Sequence, residues 1–216
     1  LLGIVQSYAG QVTLLDTCLG AMLEFLEGLP AARFAKKTLL ALGSARGFPL
    51  GEHRRVGPCD DALFGELVHV PWMMCFPDAT GAAARSRALV EPADLWATLL
   101  DWWGFDAAPH SPTAGSVMPI VRQEAEMLRD RLCITGSGAE RAIRTPAWYL
   151  RAGEKMGTGS EPWCGSHAKQ AIGEAPVPIF SEPELFAKPD DRWEVNNVAS
   201  RCRDVVESLQ DALVQY

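Results

Sequence analysis

The chain has 216 residues, of which 48% are hydrophobic and 22% charged, an ordinary globular composition that argues against disorder. Lys and Arg number 20 against 27 Asp and Glu, for a formal net charge of -7, and no basic cluster marks a nucleic-acid footprint. The longest apolar stretch, Leu67 to Phe76, is interrupted by His69 and Pro71 and falls far short of the ~20 residues of a membrane helix.

The first predicted element is a long helix over Leu1 to Leu26. Tyr8, Val12, Leu15, Leu19, Met22, Leu23 and Leu26 recur at spacings of mostly three and four, and Gly28 and Pro30 stop it. Thr38 to Leu42 is short and apolar and reads as a buried strand of an α/β sheet. Ser44 to Pro58 is rich in Gly, Pro and charge and reads as a loop. Asp60 to Leu67 is a predicted short helix, Val68 to Phe76 a second buried strand and Pro77 to Gly81 a turn. Arg87 to Val90 is a predicted short strand. Glu91-Pro92-Ala93-Asp94 then opens a helix running to Trp103, its acidic first turn favouring the helix dipole. Met118 to Arg131 has helical character.

From Leu132 the texture changes. Leu132 to Thr135, Ala139 to Arg144 and Trp148 to Arg151 are short and β-prone, and predict an antiparallel meander. Gly153 to Pro178 reads as a long surface loop, Glu184 to Ala187 as a returning strand, and Val198 to Val214 as an amphipathic closing helix. The fold class is α/β followed by a small antiparallel sheet with one helix, divided at about residue 128.

The six cysteines are Cys18, Cys59, Cys75, Cys133, Cys164 and Cys202. None makes a C-x-x-C pair or has a His at zinc-finger spacing. They read as buried free thiols, with one or two disulfides as the alternative in an exported protein. The first residue is Leu1 and a helix is already running there, so no signal peptide is visible and the sequence reads as one entered part-way through a fold. It assigns no compartment.

Common catalytic signatures are absent: no phosphate loop, nucleophile elbow, H-E-x-x-H or dinucleotide fingerprint. His69, inside an apolar stretch, reads as a core histidine; His110 and His167 read as exposed loop residues. Trp96, Trp102 and Trp103 read as core packing of one helix, and the pairs Asp60-Asp61 and Asp190-Asp191 as caps or turns.

One stretch is sharper. The strand ending in Leu42 runs into Gly43-Ser44-Ala45-Arg46-Gly47, then Phe48-Pro49, Leu50-Gly51-Glu52-His53, and later Glu66-Leu67-Val68-His69-Val70-Pro71. This order resembles the sulfatase family of the alkaline phosphatase superfamily, in which a strand ends in Thr-Ser-Asp-His-Gly, two residues lead to Leu-Gly-Glu-His, and a Val-Pro strand entry follows. Further segments are similar to the family in the right order. They are Tyr8, Val12, Asp16 and Gly20 on the first helix, Asp94-Leu95 with Thr98-Leu99-Leu100, and Arg141-Ala142-Ile143-Arg144-Thr145. Glu184-Leu185-Phe186 with Asp190, Glu194 and Asn197 completes the set.

The resemblance implies the C-terminal half of a sulfatase-like α/β fold and the hydrolysis of sulfate esters. It implies a divalent cation, usually calcium, bound through the Asp and His of the Asp-His-Gly motif. This chain has Ala45 and Arg46 at those positions. Alanine has no ligand atom and arginine is a permanent cation. The family lysine that contacts sulfate would fall near Gly57-Pro58, where Arg54 and Arg55 stand. No Cys/Ser-x-Pro-x-Arg nucleophile motif occurs.

The expectation is therefore an arylsulfatase-like protein that is non-catalytic, a pseudoenzyme or a fragment, with no catalytic residue, metal site or cofactor of its own. Two alternatives stand beside it. One is a sulfuric ester hydrolase completed by a further half. The other is a module that binds a sulfated small molecule or glycan through Arg46, His53, Arg54 and Arg55. Nucleic acid and membrane are not expected partners; self-association is.

Overall fold

The computed structural model describes residues 1–28, 37–57, 63–105, 113–136, 140–153 and 182–215. Helix α1 (Leu2–Gly28) ends at the predicted glycine, yet none of its residues is buried. Leu2, Val5 and Leu14 are exposed as well as Tyr8, Val12, Leu15 and Met22, so its apolar residues are not confined to one stripe. At its start the helix meets the rest of the chain, where Tyr8 stacks on Phe48 at 5.5 Å between ring centroids.

The two strands predicted as buried are instead one antiparallel pair, β1 (Leu40–Gly43) with β2 (Trp72–Cys75). Alternate residues are exposed along both, Met73 at 56% among them. The long strand expected over Val68 to Phe76 is divided. Helix α2 (Gly65–Val68) closes with the His69 N–H donating to the Gly65 carbonyl at 2.8 Å. That places His69 on the surface, and not in a core.

Arg87 to Val90 is not a strand. The Leu89 carbonyl, free of any ladder, accepts from the Arg129 guanidinium at 3.3 Å. Helix α3 (Ala93–Trp102) forms as predicted, but the residues it buries are Asp94, Ala97 and Thr98. Trp96 and Trp103 are about half exposed, at 50% and 55%. The helix expected over Met118 to Arg131 shrinks to one turn, α4 (Met118–Val121). Gln123 adopts φ 62, which a helix cannot continue through, and Arg129 is drawn back to Asp94.

The meander is present as expected: β3 (Leu132–Thr135), β4 (Arg141–Arg144), β5 (Trp148–Ala152) and β6 (Glu184–Ala187) form a four-stranded antiparallel sheet in that order. The register sets Cys133, Ile143, Leu150 and Leu185 in one row. Because side chains alternate across a sheet, this row faces one side, where Val206, Leu209 and Leu213 of α5 (Arg203–Val214) cover it. Burial pushes the Cys133 thiol up from its ordinary value. The neighbouring rows put Ala142, Tyr149, Phe186 and Arg151 on the other side, with Leu63 packed among the apolar three. The closing helix starts five residues later than predicted: Val198 to Cys202 form a separate turn, and Cys202, at φ -124 and ψ 56, breaks the helical path just before Arg203.

Asp190-Asp191 is a turn, as expected: the Asp191 carboxylate accepts from the N–H groups of Val195 and Asn196 at 3.0 and 2.8 Å. Cys18, Cys75, Cys133 and Cys202 are free thiols, of which Cys18 and Cys75 are exposed, contrary to the expected burial. Cys59, Cys164, Asp60-Asp61, His110, His167 and most of the expected surface loop lie outside the described residues. No described helix is long and apolar enough to cross a membrane.

Candidate functional site

The site begins where β1 ends. The Ser44 N–H donates to the Pro71 carbonyl at 3.3 Å, and the Ser44 hydroxyl donates to the Arg46 carbonyl at 2.7 Å. These two bonds fold the chain back at Ala45 and Arg46, both exposed. Gly47 then passes directly beneath α2, its N–H donating to the Leu67 carbonyl at 2.8 Å. A Cβ at Gly47 would stand 1.7 Å from the Glu66 carbonyl oxygen. Both atoms at that contact are backbone, so neither swings away. Gly47→Ala should destabilise the chain by roughly 1–3 kcal/mol, the cost of overpacking, read as a lower urea midpoint with an unchanged slope. An unchanged midpoint would show that the crossing is looser than this.

Beyond Gly47 the loop closes on itself. Leu50 bridges Val56, and the Gly57 N–H donates to the Pro49 carbonyl at 3.1 Å. Glu52 caps the turn, its carboxylate accepting from the Leu50 N–H at 2.6 Å. Three of four successive residues have positive φ: Gly51 at 127°, His53 at 47° and Arg54 at 61°. For two non-glycine residues this is a strained conformation that the surroundings must hold.

What holds it is a short strap, Leu63 to Glu66. The Leu63 N–H donates to Glu140 at 2.8 Å, and the Tyr149 hydroxyl donates to the Leu63 carbonyl. Burial, with the nearby Glu194 carboxylate, pushes the Tyr149 phenol far above its ordinary range, so it remains a donor. The Gly65 N–H donates to Glu194 at 2.8 Å, and Lys188 donates to the other oxygen of the same carboxylate at 2.8 Å. The ring of Phe64 is sandwiched. His53 lies on it at 3.6 Å, nearly parallel, and the Arg151 guanidinium lies over it at 3.3 Å. Arg151 in turn pairs with Glu140 and with Glu184.

Of the residues singled out in the sequence, His53 and Arg55 converge on this ring, Arg55 at 5.9 Å. Arg54 is exposed beside them, and Arg46 is exposed at the head of the loop. Phe64, Glu66, Arg151, Lys188 and Glu194 escaped notice as a group, because they come from three separate segments. A signal was present in Arg151, a charge in the otherwise apolar strand WYLRA. Among the described residues, no three His, Cys, Asp or Glu side chains come together as a metal site would need. Ala45 offers no donor atom, and the guanidinium of Arg46 cannot coordinate, so the residues here do not fit the cation the resemblance implies.

No family model and no curated protein matches the chain. Solved structures do. BT4656, determined in complex with its substrate D-glucosamine-2-N,6-O-disulfate, superposes over 94% of this chain with a TM-score of 0.67 and 21% identity. The candidate sulfatase yidJ from Bacteroides fragilis gives 0.67 and 20% over 94% of the chain. The fold is that of the C-terminal part of sulfatase-like proteins.

A phosphonate monoester hydrolase of Agrobacterium radiobacter shares this sulfatase-like fold, with a TM-score of 0.65 and 20% identity over 95% of the chain. The fold therefore serves both sulfur and phosphorus esters and does not choose between them. The chain spans 38% to 39% of the length of these three neighbours.

Proposed function

We propose that this chain is the C-terminal portion of a sulfatase-like protein, with residues 1–128 belonging to its α/β part and residues 129–216 forming its small antiparallel subdomain. We further propose that the chain does not hydrolyse sulfate esters by itself. The observation that carries this reading is the loop after β1. The motif glycine is kept at Gly47 with a steric task, while Ala45 and Arg46 occupy the two positions where the resemblance implies metal ligands. Calcium needs about six to eight oxygen ligands, and Arg46 sets a positive charge among the positions that would supply them. The exposed apolar residues of α1 support self-association of the chain. Calorimetric titration of the chain with calcium should give no saturable heat. A saturable site mapped to residues 43–47 by shifted amide resonances would overturn the reading.

A second reading rests on the arginines. Exposed Arg46 and Arg54, and the sulfated sugar bound by BT4656, support a module that holds a sulfated glycan by paired hydrogen bonds from guanidinium groups. Titration with glucosamine 2-N,6-O-disulfate separates the two. Saturable binding lost in the Arg54→Ala variant favours the module, and absence of binding removes it.

A further inference from the structure

We propose that His53 is a proton-dependent pin, fastening the loop 44–57 to the flank of the C-terminal sheet when its ring carries two protons and releasing it when one is lost. The geometry of the two ring nitrogens points there. Nδ1 lies 2.8 Å from a carboxylate oxygen of Glu66, and Nε2 lies 3.2 Å from the backbone carbonyl of Glu194. A carbonyl can only accept, and so can an ionised carboxylate. A neutral imidazole has one N–H, whereas the charged ring has two. Both contacts are made together only by the doubly protonated ring, and a neutral ring must abandon one.

The surroundings leave little to take over the abandoned contact. The Glu194 side chain is already engaged by the Gly65 N–H and Lys188, and only its carbonyl faces His53. One face of the imidazole is covered by Phe64, whose far face is occupied by Arg151. The charged groups around the ring are Glu66 on α2, Arg55 in its own loop, Arg151 of β5 behind Phe64 with its partners Glu140 and Glu184, and the Lys188–Glu194 pair. Glu52 and Arg54 flank it in sequence, Glu52 turned to the Leu50 N–H.

The pin joins segments 141 residues apart. It also adds an outside hold on a turn whose His53 and Arg54 sit at positive φ, a conformation the surroundings must support. Losing either contact weakens that hold. The loop is then anchored tightly in acid and loosely in alkali, and the position of Arg46, Arg54 and Arg55 follows the state of one ring.

The test uses the full chain with His69, His110 and His167 replaced by Gln, which leaves His53 as the single imidazole. Ring ¹⁵N resonances followed from pH 5 to pH 9, over the range in which histidines change charge, report its protons directly. Amide exchange of residues 47–57, corrected for the intrinsic rate, reports the loop. The expected result is two ring N–H groups in acid, loss of one on raising the pH, and an accompanying loss of loop protection of about tenfold, the size of one hydrogen bond to a charged group. Adding His53→Gln should abolish the pH dependence. A ring that keeps one protonation state throughout, or a ring that titrates with no change in loop protection, overturns the proposal. So does a pH dependence that survives His53→Gln.

Discussion

Replacing Asp94 by alanine costs the chain about 3–5 kcal/mol, the range for removing one partner of a buried ion pair. Asp94 is fully buried and accepts four hydrogen bonds. Two come from the N–H groups of Glu91 and Gly115, at 2.7 and 2.8 Å, and two from the forked guanidinium of Arg129, each at 2.6 Å. Alanine removes the acceptor of all four donors, two of them on the guanidinium of Arg129, whose side chain is only 12% exposed and which keeps Glu91, at 3.8 Å, as its remaining carboxylate. Arg129 also reaches the carbonyls of Leu89 and Thr113, so α3, the extended segment before it and residues 113–117 lose their common anchor. Urea unfolding measures the effect. Asp94→Asn, which keeps the shape and some acceptor capacity, should cost less than Asp94→Ala. The double variant Asp94→Ala with Arg129→Met should recover part of the loss, because the guanidinium deprived of its buried carboxylate is gone as well. An Asp94→Ala loss below about 1 kcal/mol, the level of an exposed pair, would show that water reaches Arg129.

Incubated with an aryl sulfate, the chain is expected to release phenol no faster than buffer does. Cleavage requires a group that attacks sulfur and a preorganised charge that steadies the oxygens. Loss of a single stabiliser of that kind typically costs ~10²–10³ in rate, and loss of a nucleophile costs far more. The chain lacks the nucleophile motif and has Ala45 and Arg46 in its motif loop. Ala45→Asp with Arg46→His should not rescue turnover, since the attacking group would still be missing. Calcium-dependent phenol release by the unaltered chain, surviving repurification, would sink this expectation. A weak metal-independent signal removed by repurification would be a contaminating hydrolase.

The legibility of the sequence followed how local each determinant is. The meander from Leu132 to Ala187 could be read because alternation and turn residues lie within a few positions of what they specify. The single turn of α4 could not be read, because a distant Asp94 claims Arg129 and Gln123 turns to positive φ. His69 and the tryptophans misled for a related reason. Apolar neighbours raise the expectation of burial, but α3 turns Ala97 and Thr98 inward and leaves Trp96 outside. In the site, the run Gly43 to His53 was legible as a motif, and the steric reason for Gly47 was not, since it is a backbone crossing with Glu66. The sandwich on Phe64 assembles residues 53, 64 and 151, and no short-range pattern announces such a meeting.

The small sheet is glued differently on its two sides, and temperature should tell them apart. Toward α5 the contacts are Ile143, Leu150 and Leu185 against Val206, Leu209 and Leu213, apolar throughout. Toward the strap, Leu63 packs on Ala142, Tyr149 and Phe186, and Tyr149, Glu140 and Arg151 add hydrogen bonds and ion pairs that the α5 side does not have among the described residues. Hydrophobic attraction weakens on cooling, whereas polar contacts do not share that dependence. Chilling therefore loosens the closing helix before it loosens the strap, and the C-terminal end of the molecule becomes its cold-sensitive edge.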